Sequence, residues 1–306
     1  MEAFKTSGEP LRKMTWLIVG GEGQFGKTMA FVLRERGIEF RALGSDALDI
    51  RSEVFCKQYV SDMQPSVIVN AAAWTDVDGA EASPDQAYAI NAMGAGNLAL
   101  AAKNVGAIFV HLSTDYVFSG LSDTPWREED LCAPTTIYGK SKLAGEISVL
   151  NAYVERSYIF RTSWLYSSWG KNFAKTMTQL SINSADEVRV VDDQIGQPTF
   201  AIDLANQIID TVFERLQFGI FHGTNSGQGS WLDFAREIFI ASGGSIDRLV
   251  AINSSEIIRP AVRPHYSVLG HEKWSAAGTF VSPMRDWRVA LSEAMPKIIS
   301  TIRVEG

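Results

Sequence analysis

The 306-residue sequence has little of what marks several large classes of protein. It has only two cysteines, Cys56 and Cys132, too few for a disulfide framework or a cysteine-based zinc site. No apolar run reaches the roughly 18 residues of a transmembrane helix, and residues 1–13 lack the apolar centre of a signal peptide. The 28 basic residues are outnumbered by 35 acidic ones, and the net charge of −7 argues against nucleic-acid or anionic-membrane partners. We therefore expect a cytoplasmic protein whose partners include neither nucleic acid nor membrane.

Short apolar stretches alternate with helical patterns through the first half of the sequence. The predicted strands cover residues 15–19, 38–43, 66–70, 107–113 and 158–162. The predicted helices cover residues 27–36, 52–63, 138–153 and one long Ala- and Leu-rich segment at 82–105. This alternation indicates an α/β fold with a doubly wound parallel sheet, the Rossmann arrangement.

After about residue 164 the alternation loosens. Helical patterns at 172–180, 202–216 and 230–241 are separated by turns that contain Gly and Pro. We expect a flexible extension at 1–13 and a dinucleotide-binding domain at 14–165. Residues 166–306 are expected to form mainly a smaller C-terminal substrate-binding lobe, with some segments returning to the first domain.

A glycine-rich segment follows the first predicted strand and precedes the first predicted helix. Its spacing is Gly21-x-Gly23-x-x-Gly26, and in this context such a spacing indicates dinucleotide binding. The first glycine allows a tight turn, the second lets the backbone approach a pyrophosphate, and the third lets helix and strand pack closely. The free N–H groups of the helix N-terminus then bind the phosphates. The segment therefore predicts an NAD or NADP site.

The end of the second predicted strand leaves the choice of dinucleotide open. An acidic residue normally stands there and binds the ribose 2′-hydroxyl of NAD, but this chain has Gly44-Ser45-Asp46. No clear arginine for the 2′-phosphate of NADP stands there either, so we expect only a weak preference between NADH and NADPH. Asp49 and Ile50 are expected to line the adenine pocket, although Asp49 also fits the N-cap of the next helix.

Tyr138 and Lys142 lie four residues apart in a predicted helix, and therefore on one face of it. A phenol with a pKa of about 10 is a poor acid–base group at neutral pH. Because a nearby ammonium favours the phenolate, we expect Lys142 to lower the pKa of Tyr138. Thr114 ends the fourth predicted strand, at the edge where ligands bind in sheets of this kind.

The sequence resembles the extended short-chain dehydrogenase/reductases, and within them the reductases of nucleotide 4-keto sugars, from about residue 14 to residue 287. The element Tyr138-Gly-Lys-Ser-Lys142 is shared across the superfamily. The elements Ser113-Thr-Asp-Tyr-Val-Phe118 and Arg161-Thr-Ser-Trp164 are far more specific to the reductases. The other segments that carry the resemblance are Gly20-Gly-Glu-Gly-Gln-Phe-Gly26, Asn70-Ala-Ala-Ala-Trp-Thr-Asp-Val-Asp78, Asp193-Gln-Ile-Gly-Gln-Pro-Thr199 and Arg263-Pro-His-Tyr-Ser267.

The resemblance implies a catalytic triad of Thr114, Tyr138 and Lys142 that reduces the C4 keto group of a dTDP-sugar to give dTDP-L-rhamnose. By this likeness Tyr138 would donate a proton to the keto oxygen while NADPH or NADH delivers hydride to C4. Thr114 would hydrogen-bond the same oxygen, and Lys142 would hold the nicotinamide ribose. Asp115 and Trp164 would join Thr114 in contacting the sugar nucleotide. The cofactor-binding residues so implied are Gly20, Gly23, Gln24, Phe25, Gly26, Asp49, Ile50, Ala73, Trp74, Thr75, Tyr138 and Lys142.

Some members of this family bind Mg2+ through carboxylates at a dimer contact. Glu22, Asp192 and Asp193 lie near the corresponding positions. We interpret them as solvated surface acids and do not commit to a metal, so Mg2+ binding stays open. A homodimer is compatible with the resemblance. No metal-ligand spacing occurs among the four histidines, which we expect to be structural: His111, His222, His265 and His271.

Other functions stay open at this stage. A 4,6-dehydratase resembles this chain but places an Asp-Glu pair after the threonine, whereas here Asp115 and Tyr116 follow Thr114, which counts against dehydration. Residue types alone exclude neither a 4-epimerase nor a reductase of another nucleotide 4-keto-6-deoxy sugar. A non-catalytic NAD(P)-binding subunit, like the regulatory subunit of methionine adenosyltransferase, resembles the same reductases. That subunit largely replaces the segments around Thr114 and Trp164 that this chain keeps.

Overall fold

The structure, a computed structural model, describes residues 14–274 and 281–305, so the predicted extension at 1–13 lies outside the described residues. The strands, in chain order, are β1 Trp16–Val19, β2 Phe40–Leu43, β3 Val67–Asn70, β4 Ile108–Thr114, β5 Ser157–Thr162, β6 Leu165–Tyr166, β7 Val188–Val191, β8 Ile195–Gly196, β9 Thr199–Phe200, β10 Gly219–His222, β11 Gly229–Ser230 and β12 Leu249–Ile252. The α-helices are α1 Gln24–Glu35, α2 Glu53–Met63, α3 Val77–Ala82, α4 Pro84–Tyr88, α5 Ala95–Val105, α6 Ile137–Tyr153, α7 Phe173–Asn183, α8 Ala201–Phe213, α9 Trp231–Ser242 and α10 Trp287–Glu305.

The central sheet has six parallel strands in the order β10-β5-β4-β3-β1-β2. Strands β1 and β3 are buried along their whole length, as expected for parallel strands covered by helices on both faces. Because β2 and β3 lie on opposite sides of β1, a crevice opens at the carboxyl ends of β1 and β3. The predicted doubly wound parallel sheet is confirmed.

Helices pack on both faces of this sheet. Helices α1 and α8 contact each other on one face, where Met29 and Ile208 are fully buried. Helices α2, α5 and α6 form the other layer, with Val60 and Val149 in its core. These two apolar layers fix the sheet and leave its carboxyl edge available for polar groups.

The predicted helix at 82–105 is confirmed over residues 84–105, where α4, a π-helical turn and α5 follow one another without a break. Helix α4 begins at Pro84, which cannot donate a backbone hydrogen bond and so favours the first turn of a new helix. The segment Ala89–Gly94 then forms a π-helical turn before α5 begins. Such turns occur mostly within α-helices and frequently at functional sites. Here the turn contains Asn91, whose side chain is buried.

The C-terminal half contributes both to the sheet and to a separate apolar cluster. Strand β10 pairs with β5, so one segment beyond residue 165 belongs to the central sheet. Helices α7, α9 and α10 enclose a cluster that contains the buried side chains of Tyr166, Phe234 and Trp287. Gln24 of α1 donates to the carbonyl of Leu165 at 2.9 Å and links the two halves. None of the described helices is both long and apolar enough to span a bilayer.

Candidate active site

The packing of the glycine-rich loop requires glycine at three positions, Gly20, Gly21 and Gly26. Gly20 has a φ of +80°, and a Cβ atom there would lie 2.5 Å from the backbone nitrogen of Ala72. A Cβ on Gly26 would lie 2.2 Å from the Gly20 carbonyl oxygen, so α1 could not approach the loop. The left-handed residue of the turn is Gly20, and a Cβ on Gly21 would lie 2.9 Å from the backbone nitrogen of Leu43 on β2. At Gly23 the nearest atom to an added Cβ is 3.3 Å away, so this glycine keeps the space in front of the loop open.

A cleft of about 480 Å³ lies in front of this loop, at the carboxyl ends of β1, β2 and β3. We call it the glycine-loop cleft. Its walls fit a dinucleotide, because the glycines expose the backbone of the loop at the start of α1, where no side chain caps the free N–H groups that bind phosphates. The lining residues are Val19, Gly20, Glu22, Gly23, Gly44, Ser45, Asp46, Leu48, Asp49, Ile50, Arg51, Ala71, Ala72, Ala73 and Ile90.

Seven predicted cofactor residues lie outside this lining: Gln24, Phe25, Gly26, Trp74, Thr75, Tyr138 and Lys142. The side chain of Phe25 is buried in the core, and that of Gln24 is held by Leu165, so both would face the cleft only through their backbones at the start of α1. Trp74 and Thr75 follow Ala73 without being part of the cleft wall, and the Trp74 indole donates to the carbonyl of Asp76 at 2.9 Å.

The alternative role of Asp49 as a helix cap is wrong. Ser52 caps α2 by accepting a hydrogen bond from the backbone nitrogen of Phe55. Asp49 instead forms an ion pair with Arg51, whose Nη2 lies 2.7 Å from Asp49 Oδ2. The hydrogen bonds from Arg51 lower the pKa of the Asp49 carboxyl.

Tyr138 and Lys142 lie at the start of α6, beside the end of β4. Lys142 Nζ donates to the Leu112 carbonyl at 2.5 Å, and burial lowers the pKa of Lys142 to about 8 against the opposing effect of Glu146. Burial also raises the pKa of Tyr138 to about 12, against a hydrogen bond with Thr114. The expectation that Lys142 lowers the pKa of this phenol is therefore wrong, because desolvation is the larger effect. The phenol keeps its proton at neutral pH, which suits a proton donor.

Thr114 and Asp115 form a buried hydrogen-bonded pair next to Tyr138. Thr114 Oγ1 donates to Asp115 Oδ1 at 2.9 Å and accepts from the backbone nitrogen of Tyr116 at 3.2 Å. Asp115 Oδ2 is buried and has no hydrogen-bond partner in the part of the chain that the structure describes. Burial raises the pKa of Asp115 to about 6, although the hydroxyls of Ser267 and Thr114 stabilise its charged form.

A buried ion pair between Arg161 and Glu146 connects α6 to the strands β4 and β5. Arg161 on β5 binds Glu146 on α6 through two contacts, Nε to Oε1 at 2.9 Å and Nη2 to Oε2 at 2.7 Å. Ser113 on β4 donates to the same Glu146 Oε1 at 2.5 Å. Both charged side chains are only 2% exposed. Because a buried charge left without its partner is strongly destabilising, this pair fixes α6 against the two strands that carry the site.

Sequence reasoning missed Asn91, which joins the two sides of the site. Its Oδ1 accepts from the Trp74 backbone nitrogen at 2.8 Å, and its Nδ2 donates to the Ser141 hydroxyl at 2.9 Å. It thereby ties the segment after β3 to the helix that carries Lys142. A polar residue at a buried position of an apolar helix was the available signal.

A second cavity, of about 710 Å³, opens on the other side of the site. We call it the Tyr116 cavity, because Tyr116 lines it and meets the Tyr138 ring edge to face, with centroids 5.5 Å apart. The lining residues are Tyr116, Phe173, Met177, Arg189, Val190, Val191, Gln194, Trp231, Asn253, Ser254, Ser255, Ile257, Arg259, Ala261, Val262, Arg263 and His265. They come from many separate segments, most of them beyond residue 165.

Trp164 lies behind the wall of this cavity. Its ring stacks on Trp231 with centroids 3.6 Å apart, and Trp231 lines the cavity whereas Trp164 does not. Trp164 has a φ of +43°, which is strained for a bulky residue. A Cβ on Gly196 would lie 2.6 Å from the Trp164 ring, so glycine is needed for this packing. Trp231 is a second residue that the sequence motifs did not reveal.

A salt bridge joins the two halves across the site. Arg263 lies in the wall of the cavity, and its terminal nitrogens Nη1 and Nη2 both donate to the carboxylate of Asp78 on α3. Asp78 also accepts a hydrogen bond from the backbone nitrogen of Ala261. Since α3 follows the segment after β3, this contact connects the wall of the Tyr116 cavity to that of the glycine-loop cleft.

The acids considered for a metal site lie in different surroundings. Asp192 accepts from the Ser230 hydroxyl, Asp193 accepts from Ser254, and Glu22 lies against Gly44. Across residues 14–274 and 281–305, no group of three His, Cys, Asp or Glu side chains is arranged to hold a metal ion. Three histidines are largely buried, His111 against Asn70, His222 against the Gly270 carbonyl and His271 against Thr224, while His265 is exposed.

A doubly wound parallel sheet, a glycine-rich loop at its crevice and a Tyr-x-x-x-Lys helix define the class of dinucleotide-dependent short-chain dehydrogenase/reductases. Within this class, the chain belongs to the family described as RmlD substrate binding domain, whose model matches residues 14–299. The resemblance drawn from the sequence is thereby confirmed.

Relatives of this family are similar along nearly their whole length. A dTDP-4-dehydrorhamnose reductase of Streptomyces griseus is 42% identical and covers 94% of this chain and 95% of its own. A dTDP-4-keto-6-deoxy-D-glucose reductase of Streptomyces niveus is 39% identical, over 92% and 96%. Among solved structures, a dTDP-4-dehydrorhamnose reductase of Bacillus anthracis in complex with NADP matches with a TM-score of 0.88 at 36% identity, over 93% and 99%.

Proposed function

We propose that this protein uses NADH or NADPH to reduce the C4 keto group of dTDP-4-dehydro-L-rhamnose, giving dTDP-L-rhamnose. The observation that carries the proposal is the position of Thr114, Tyr138 and Lys142. They lie at the carboxyl edge of the sheet, with the glycine-loop cleft on one side and the Tyr116 cavity on the other. The names of the full-length relatives support the same reaction.

The bound dinucleotide supplies the hydride that is added to C4. Tyr138 donates its phenol proton to the developing alkoxide, and burial keeps that proton in place until the transfer. Lys142 has three N–H donors, of which one is used by the Leu112 carbonyl, so the others can hold the nicotinamide ribose. The Arg161–Glu146 pair keeps α6, and with it Tyr138 and Lys142, in place against β4.

Thr114 has one hydroxyl hydrogen, and Asp115 decides where that hydrogen points. With Asp115 charged, the hydrogen goes to Asp115 Oδ1. With Asp115 neutral, the carboxyl donates to Thr114 Oγ1 and the threonine hydrogen is free for the keto oxygen. The raised pKa of Asp115, about 6, makes the neutral form accessible near physiological pH. The unpartnered Oδ2 is then available to a sugar hydroxyl.

The Tyr116 cavity suits a nucleoside diphosphate attached to a sugar. Trp231 and Phe173 offer aromatic faces for a base. Arg189 and Arg263 are paired with acids, whereas Arg259 is exposed and forms no ion pair with another described residue, which leaves it for a diphosphate.

A second candidate is the reduction of another dTDP-4-keto-6-deoxy sugar. The Streptomyces niveus relative, named for a 6-deoxy-D-glucose substrate, favours it. Cytoplasmic location and a homodimer stay predictions.

The test is to incubate the full chain with dTDP-4-keto-L-rhamnose and NADH or NADPH, and to identify the product by NMR. One dTDP-L-rhamnose per dinucleotide oxidised supports the proposal. Turnover of dTDP-4-keto-6-deoxy-D-glucose, but not of dTDP-4-keto-L-rhamnose, would favour the second candidate. Dinucleotide binding without turnover would favour a non-catalytic subunit.

A further inference from the structure

The carboxylate of Glu22 lies at the end of β2, in the space where a side chain at position 44 would otherwise be. A Cβ atom on Gly44 would be 2.5 Å from the carboxyl carbon of Glu22 and 2.8 Å from each carboxylate oxygen. Gly44 directly follows β2, and both residues line the glycine-loop cleft. The glycine-rich loop thus supplies the acid that the end of the strand lacks.

The chemistry of this position decides which dinucleotide binds. In sheets of this kind, a carboxylate at the end of β2 hydrogen-bonds the ribose 2′-hydroxyl of NAD, whereas an arginine nearby accommodates the 2′-phosphate of NADP. The described charged residues that line the cleft are Glu22, Asp46, Asp49 and Arg51. Arg51 is paired with Asp49, through Nε at 2.9 Å and Nη2 at 2.7 Å. Neither Glu22 nor Asp46 forms an ion pair with another described residue.

We propose that Glu22 selects NADH over NADPH. Its two oxygens accept hydrogen bonds from the ribose diol of NADH, and the same charge repels the 2′-phosphate of NADPH. The inference rests on the proposed function, because it requires a dinucleotide in the glycine-loop cleft. From Gly44-Ser45 alone we expected only a weak preference between NADH and NADPH, whereas Glu22 gives a preference for NADH. The structure of the Bacillus anthracis relative, in contrast, contains NADP.

The experiment measures the binding of NADH and NADPH to the full chain by calorimetry, without any sugar substrate. We expect the wild type to bind NADH about tenfold more tightly, equivalent to about 1.4 kcal/mol. Glu22→Gln should weaken NADH and strengthen NADPH until the ratio approaches one. Asp46→Asn is the matched control: it removes the same charge from the same cleft, but from a side chain that does not occupy the space at Gly44, and it should change the ratio by less than about twofold.

A second variant tests the position of the carboxylate rather than its charge. In Gly44→Ala the new Cβ displaces the flexible end of Glu22, and the backbone of Gly44 is outside the left-handed region, so alanine can adopt it. The ratio should shift in the same direction as in Glu22→Gln. Melting curves verify that each variant is folded.

Two results would overturn the inference alone: a wild type that binds NADPH at least as tightly as NADH, or a Glu22→Gln variant with an unchanged ratio. Failure of both dinucleotides to bind would overturn the proposed function and, with it, this inference.

Discussion

The glycine-loop cleft and the Tyr116 cavity are built in different ways. The cleft is made from three short segments that follow β1, β2 and β3 in the first third of the chain, and it depends on backbone positions such as Gly20 and Gly23. The cavity is made from side chains of distant segments, with Trp231 on α9 and Arg259 far along the chain. The phosphate-facing loop of the cleft is therefore set by a local sequence pattern, whereas the walls of the cavity depend on tertiary packing. Single substitutions should affect one of the two spaces without affecting the other.

The largest loss of turnover is expected from a substitution of Tyr138, which lies between the cleft and the cavity and lines neither. Tyr138→Phe removes the phenol proton and keeps the ring against Tyr116. Turnover should fall at least about a hundredfold, while calorimetry shows unchanged binding of dinucleotide and dTDP. Tyr116→Phe is the control and should cost less than about tenfold in turnover. Near-normal turnover in folded Tyr138→Phe would contradict the assignment of the proton donor.

Gly23→Val should abolish tight dinucleotide binding in the cleft and leave nucleotide binding in the Tyr116 cavity unchanged. The added side chain occupies the space in front of the loop with only the Gly20 carbonyl close by, so the fold should tolerate it. Dinucleotide affinity should fall at least about thirtyfold, or about 2 kcal/mol, with dTDP affinity unchanged. Gly26→Ala is the contrasting control, since its Cβ meets the backbone at 2.2 Å and should lower the melting temperature instead. Unchanged dinucleotide binding by Gly23→Val would place the phosphates elsewhere.

Asp115, next to the Tyr116 cavity, and Asp49, in the cleft, should respond to pH with opposite signs. Burial raises the pKa of Asp115 from 3.8 to about 6, so the folded state holds the proton more tightly and stability falls as pH rises through this interval. Relative to Asp115→Asn, the wild type should lose on the order of 2 kcal/mol of unfolding free energy between about pH 4 and about pH 7.

The exposed Asp49 has a lowered pKa, so its smaller contribution is present at neutral pH and is lost as pH falls. Denaturant unfolding across this range measures both effects, with Asp49→Asn as the comparison. Parallel pH profiles for the wild type and Asp115→Asn would contradict the raised pKa of Asp115.

Trp231→Ala should weaken the cavity and spare the cleft. Loss of an aromatic face next to a base should lower dTDP affinity about tenfold, with NADH affinity unchanged. Trp164→Ala, whose ring lies behind Trp231, should lower dTDP affinity by about threefold. If Trp164→Ala instead causes the larger loss, the direct contact with the nucleotide belongs to Trp164.

The smallest change in kinetic constants is expected from loss of the salt bridge between Asp78 and Arg263. Asp78→Asn weakens the salt bridge to Arg263, a partly exposed pair worth at most about 1 kcal/mol. The KM for the sugar nucleotide should rise about threefold with kcat unchanged. Asp210→Asn, which breaks the exposed pair with Arg36 away from the site, is the control and should alter neither constant.

More of the cleft than of the cavity could be predicted from the sequence, because the loop of the cleft follows a local pattern whereas the cavity depends on tertiary packing. Strand, glycine spacing and helix are neighbours in the chain, so the position of Gly23 could be predicted from local pattern. Trp231 could not be found in this way, because only packing of α9 against Trp164 brings it to the site. Asn91 was hidden because nothing in the local sequence pattern marks the π-helical turn that contains it, and its partners Trp74 and Ser141 lie far away in the chain.

The pKa of Tyr138 was predicted in the wrong direction for a related reason. A pattern shows which charged residue is near in sequence, here Lys142, but not how completely the phenol is removed from water. The local features of the fold could therefore be read from the chain, while the electrostatics of the site required its tertiary structure.

The central claim is that hydride passes at Tyr138 from a dinucleotide in the cleft to a sugar in the cavity. Its most direct test measures the transfer of deuterium from the dinucleotide to the sugar. The full chain is given dTDP-4-keto-L-rhamnose and a dinucleotide deuterated at its transferable position, and the sugar is analysed by NMR. We predict one deuterium at C4 of each product molecule, one oxidised dinucleotide formed with it, and neither in the Tyr138→Phe variant. Conversion of the sugar without deuterium at C4 would contradict the account.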